Sequence, residues 1–198
     1  MDRRHLLQLL PAVFAAGLAA CGEKKPQFSG VDLTGADYAR DFQLPDTEGR
    51  VRSLQDFRGK AVIVFFGYTQ CPDVCPTTLA EIAQARQILG ADGARVLGVF
   101  VTLDPERDTP QVLKPYVDNF GPGFVALRPT PEQLVAVAKE FKIYYKKVEG
   151  KAPGSYTMDH TAASFVYDPQ GRLRLYTRYG TGPQALAGDL RQLLAASG

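Results

Sequence analysis

Apolar and polar positions change rhythm along this chain in a way that marks out its elements. Residues 61–68 (AVIVFFGY) and 95–103 (RVLGVFVTL) are nearly unbroken apolar runs, rich in β-branched and aromatic side chains. Runs of this kind predict strands covered on both faces. Between them Leu79, Ile82, Ala83, Arg86 and Leu89 recur at helical spacing, which predicts a helix over residues 77–89 closed by Gly90. Residues 69–76 form the loop before it. Thr109-Pro110 and Thr130-Pro131 each place a capping residue ahead of a proline, a pattern that starts helices. The first of these helices runs toward Phe120, with Pro115 expected to kink or shorten it; the second runs to about Phe141. A short strand is expected at residues 124–127. Residues 163–167 and 173–179 flank a turn as an antiparallel pair, and residues 183–196 predict a C-terminal helix. Residues 42–60 read as a hairpin-like entry. Residues 143–156, polar and containing Gly150, Pro153 and Gly154, predict a surface hairpin or flap.

A strand, a helix and a strand in that order imply a parallel pair with a right-handed crossover. Followed by further helices, a β-hairpin and a last helix, they make an α/β protein of thioredoxin-like arrangement, a mixed sheet flanked by helices.

The first twenty residues belong to export rather than to the fold. Arg3 and Arg4 precede an apolar stretch at residues 6–20, which ends in Leu18-Ala19-Ala20-Cys21. That ending resembles the lipobox of bacterial lipoproteins, and the resemblance implies cleavage before Cys21 and lipid on its sulfur and new N-terminus. An ordinary signal peptide with a chance cysteine is the plainer alternative, but Cys21 stands at the one position where lipidation needs it. Paired arginines are also compatible with twin-arginine export as well as the general route. The expected organisation is a signal peptide at 1–20, a lipidated tether at 21–40 and one domain at 41–198, on the extracytoplasmic, periplasmic side of a bacterial membrane. No later stretch is long and apolar enough to cross a bilayer. A formal net charge of +2 supplies no large field, so nucleic acid is not an expected partner.

Once His5 and Cys21 are assigned to the leader and the anchor, the domain holds two cysteines, Cys71 and Cys75, and one histidine, His160. The cysteines fall where a buried strand hands over to a helix. Helix N-terminal N–H groups and the helix dipole gather there and favour thiolates. Outside the cytoplasm such a pair is a structural disulfide, a redox couple or a metal site. A disulfide closing so short a loop stabilises little through chain entropy. Three intervening residues, rather than the two of thioredoxin-type oxidoreductases, put both sulfurs on one face of a helical turn. Thiolates and imidazole together suit copper. Redox couple and copper site both remain open on this evidence.

A lone histidine is more often a surface or packed residue than a ligand. Topology raises the case for His160, because in a thioredoxin-like sheet the segment before the 163–167 strand lies beside the cysteine loop. Asp159 is a candidate partner for the imidazole. Met158 is left to packing.

Three segments, in this order, resemble the signature of the SCO/SenC family: Phe66-Gly67-Tyr68-Thr69-Gln70-Cys71-Pro72-Asp73-Val74-Cys75-Pro76, Leu103-Asp104-Pro105-Glu106-Arg107-Asp108-Thr109-Pro110, and Asp159-His160-Thr161. The resemblance implies a membrane-anchored copper protein with Cys71, Cys75 and His160 as ligands. Asp104 would stand behind them at most. Family members assist assembly of the CuA centre of cytochrome c oxidase, so the implied partner is its CuA-bearing subunit or another copper protein. The expected cofactor is Cu(I), with Cu(II) also admissible, and the expected role is a metallochaperone rather than an enzyme. A thiol-disulfide oxidoreductase acting on a copper protein's cysteines is the rival, with Cys71 as nucleophile. A lipoprotein leader departs from the transmembrane helix of many members.

Overall fold

The computed structural model describes residues 27–196. The leader, His5, Cys21 and the two C-terminal residues lie outside that span, so the export and lipidation expectations fall beyond it. Within it, the chain runs β1 (Val31–Asp32), β2 (Leu44–Pro45), β3 (Val51–Arg52), β4 (Ala61–Gly67), α1 (Val74–Ile88), β5 (Val96–Thr102), α2 (Pro110–Asp118), β6 (Phe124–Leu127), α3 (Pro131–Glu140), β7 (Tyr145–Glu149), β8 (Tyr156–His160), β9 (Ala163–Tyr167), β10 (Leu173–Arg178) and α4 (Pro183–Ala195). Six strands form one sheet in the order β1-β10-β9-β4-β5-β6; β2–β3 and β7–β8 are separate two-stranded hairpins. β4 is parallel to β5 and antiparallel to β9, so the sheet is mixed. This is the thioredoxin-like architecture expected from the element order.

β4 and β5 are buried at every residue. Their pleat divides the interior in two. Ala61, Ile63 and Phe65 face a core shared with α1 and α4. Val62, Val64 and Phe66 face a second core closed by Leu134, Val137 and Phe141. Fully burying an aliphatic or aromatic side chain of this size contributes about 1.5–3 kcal/mol each, so the central strands are the most stable part of the scaffold.

Three boundaries differ from expectation. α1 begins at Val74, not at residue 77, and takes Cys75 and Pro76 into its first turn. Proline is tolerated there because first-turn N–H groups have no intrahelical acceptor. The segment expected as a tether also joins the domain early. The Ser29 and Gly30 amides donate to the buried Asp189 carboxylate at 2.8 and 2.9 Å. β1 then pairs with β10, and Ala39 and Phe42 are buried. α2 ends at Asp118 with Pro115 inside it, shorter than a run to Phe120.

Candidate metal centre

Cys71 lies in the turn that follows β4, and Cys75 one helical turn later in α1. The Cys75 amide points back at the Cys71 sulfur, N to Sγ 3.5 Å. Cys75 is fully buried and Cys71 partly exposed; both are free thiols. Seating Cys75 depends on Gly67, the last residue of β4. A Cβ there would meet the Cys75 Sγ at 2.6 Å and the Phe100 ring at 2.9 Å.

His160 ends β8, in line with Tyr156 and Met158 on the inward side of the hairpin. Its Nε2 lies 3.7 Å from the Cys75 Sγ, and its Nδ1 lies 3.1 Å from the Thr161 carbonyl. A carbonyl only accepts, so the neutral ring carries its proton on Nδ1 and turns the lone pair of Nε2 toward the sulfurs. Phe65 and Tyr68 meet the imidazole edge-on, with ring centroids 6.2 and 6.1 Å away. The three donor atoms of Cys71, Cys75 and His160 lie within 4.8 Å of one another, a group that one ion can bridge.

The two sulfurs share one proton unequally. Hydrogen bonding from Cys75 holds the Cys71 thiol well below its ordinary range, at about 5, with the Asp73 and Cys75 amides adding to the effect against the opposing pull of burial. The same contact, together with burial, pushes the Cys75 thiol up. The metal-free site therefore holds a Cys71 thiolate and a protonated Cys75, a polarised donor set of two sulfurs and one imidazole nitrogen. Soft sulfur and imidazole donors of this kind select copper or zinc over hard cations.

Asp159 does not support the imidazole. It faces outward on the pleat and is exposed, and the Thr161 carbonyl takes the Nδ1 position instead. Asp104 is buried but engages Arg107 and the Tyr156 hydroxyl, the latter at 2.9 Å, and so reaches the hairpin rather than the ligand atoms. Asp108, from the same family-like segment as Asp104 but not among the expected site residues, contacts the cysteine loop directly. It accepts from the Thr69 amide at 3.1 Å, from the Thr69 hydroxyl at 2.6 Å and from the Thr102 hydroxyl. It thereby ties the turn before Cys71 to the end of β5, while burial raises its carboxyl above the usual range. It belongs to the family-like segment 103–110, but nothing local names its partner; the β4–β5 pairing brings it to Thr69.

Comparison with known proteins agrees with this geometry. The profile of the SCO1/SenC family matches residues 31–195. The chain is 33% identical over 147 residues to an SCO2-like protein of Rickettsia felis, covering 74% of this chain and 72% of that one. Among solved structures, ScoI of Bradyrhizobium japonicum with copper bound is 39% identical, with a TM-score of 0.70 over 77% of this chain and 97% of its own. Apo Sco1 of Thermus thermophilus is 38% identical, with a TM-score of 0.75 over 84% and 97%. The family profile spans nearly the whole described domain, and the chain belongs to the SCO1/SenC family.

Proposed function

We propose that this protein handles copper at the outer face of a bacterial membrane. It takes one copper ion on Cys71, Cys75 and His160 and passes it to a copper protein, the CuA-bearing subunit of cytochrome c oxidase. The observation that carries the reading is the convergence of three soft or borderline donors within 4.8 Å. The copper-bound state of the Bradyrhizobium relative supports the choice of metal. Here the ion is cargo. Two thiolates around Cu(I) leave one net negative charge, and the first-turn amides of α1 are placed to stabilise it. The partly exposed Cys71 is the ligand that an incoming donor can displace. Lipid on Cys21 would hold the domain at the membrane; among the described residues no helix is long and apolar enough to cross it.

An anaerobic Cu(I) titration of the reduced domain against a competing chelator tests the reading, run beside Cys71→Ser, Cys75→Ser and His160→Ala. One tight equivalent that every substitution weakens is the expected result. Binding indifferent to His160 overturns it.

One observation favours a second reading, the thiol-disulfide oxidoreductase. A partly exposed thiolate beside a protonated, buried thiol is the arrangement of an attacking and a resolving cysteine. That activity should survive His160→Ala, whereas copper binding should not.

A further inference from the structure

β8 stands outside the six-stranded sheet, paired with β7. His160 itself therefore lies outside any ladder with β4; the chain rejoins the sheet in β9, where Ser164 pairs with Phe65, and side chains supply the remaining attachment of the hairpin to the cysteine loop. One is Met158, buried in the core that also contains Cys75. The other attachment gathers on Arg107. Its Nη1 donates to the Gln70 side-chain oxygen at 3.1 Å and to the Tyr156 carbonyl at 3.0 Å. Its Nε pairs with the buried Asp104, whose other oxygen accepts from the Tyr156 hydroxyl at 2.9 Å. The guanidinium lies 3.5 Å from the centroid of the Tyr156 ring and 5.8 Å from that of Tyr68. A single side chain thus touches the neighbour of Cys71, the loop leaving β5 and the first residue of the strand that ends in His160.

We propose that Arg107 is a positioning residue for copper binding: it clamps the β7–β8 hairpin to the cysteine loop and so sets where His160 stands relative to the two sulfurs. The inference rests on the copper-binding reading above. The clamp requires a planar fork, because Nε and Nη1 serve partners on three segments while the flat face stacks on an aromatic ring; a lysine offers one point charge and cannot do this. Arg107 also keeps its Nη2 buried with no hydrogen-bond partner among the described residues. A buried donor left unpaired lowers stability, so this arginine serves geometry at some expense to the fold.

The test combines two measurements on Arg107→Gln, in the otherwise unaltered protein and in His160→Ala. Amide hydrogen exchange of the metal-free proteins should show faster exchange in β7 and β8 with β4 and β5 unchanged. Cu(I) affinity should fall about 10- to 100-fold, the range seen when groups that orient a ligand are removed. In the His160→Ala background the same substitution should change affinity by no more than about twofold, because independent effects add and effects routed through one ligand do not. Arg107→Lys should recover little of the loss. An equal loss in both backgrounds, or unchanged exchange of the hairpin, overturns the clamp. If Arg107→Gln fails to fold, Tyr156→Phe removes only the hydroxyl that reaches Asp104 and runs the same cycle. No tight Cu(I) uptake by the unaltered protein overturns the copper reading and with it the copper role of Arg107; the exchange comparison then decides separately whether the hairpin is clamped.

Discussion

The sulfur of Cys75 lies 3.7 Å from Nε2 of His160, though 85 residues separate them in the chain. Both are placed by different parts of the scaffold. Cys75 rides on the first turn of a helix packed against the central strands, and His160 on a hairpin hung outside the sheet. The site is therefore a junction between a rigid half and a less anchored half, and substitutions on the two sides should behave differently.

On the hairpin side, His160→Ala removes one of the three converging donors without opening the main core. It should weaken Cu(I) by about tenfold or more, equivalent to about 1.4 kcal/mol, while the thermal midpoint of the metal-free protein stays near that of the parent. Chelator competition and a melting curve on the same sample check both parts. A large fall in the midpoint would show that the imidazole is a packing residue first.

On the rigid side, Gly67→Ala should damage both fold and site. The added methyl would press on the Cys75 sulfur and on Phe100, and overpacking of this kind costs about 1–3 kcal/mol. Denaturant unfolding should report the loss, and Cu(I) binding should weaken with it because the sulfur itself is displaced.

The unequal sharing of one proton has a pH signature. Cys71, held down at about 5, is an anion at neutral pH, and Cys75, pushed up, is not. Uptake of Cu(I) should then expel about one proton per ion near neutral pH, from Cys75. As pH falls through about 5 the Cys71 thiolate is lost, which adds about one more proton to the release. Proton release measured with an indicator in weak buffer reads this directly. A release of about two at neutral pH would mean that Cys71 is an ordinary thiol.

Alkylation should divide the pair in the same sense. Cys71 is the more exposed and the more ionised, so iodoacetamide should label it first, with a rate that drops as pH falls through about 5. Peptide mass spectrometry of partly labelled protein checks the order. Faster labelling of Cys75 would reverse the assignment.

Asp108→Ala should be the costliest change outside the donor set. It leaves the part-buried Thr69 amide and hydroxyl and the buried Thr102 hydroxyl without their acceptor, and the fully buried loss alone is worth about 1–3 kcal/mol. The turn that carries Cys71 would loosen, so Cu(I) affinity should drop along with stability.

Much of this was legible in the chain because its signals are local. The unbroken runs at 61–68 and 95–103 could hardly be anything but central strands, and the cysteines sit at a strand-to-helix handover visible in the spacing alone. What was not legible depends on pairing across the chain. Asp108 meets Thr69 across 39 residues, Tyr156 meets Asp104 across 52, and Asp189 meets Ser29 across 160. Thr69, Asp104 and Asp108 fall in signature-like segments, but no local pattern names their partners, since each pairing is made by the sheet. Asp159 misled for the opposite reason. It is adjacent to His160 in sequence, yet in a strand adjacency means opposite faces. The early start of α1 was hidden by Pro76, which invites a boundary after it yet sits comfortably within the helix's first turn.

The grip of Asp189 on Ser29 and Gly30 sets a leash length. On the proposal that Cys21 carries lipid, only eight residue steps separate the anchor from Ser29, a reach of at most about 28 Å even at full extension. A domain held that closely cannot search for a distant recipient. The recipient's copper site has to come down to the same membrane surface, and delivery becomes an encounter in two dimensions.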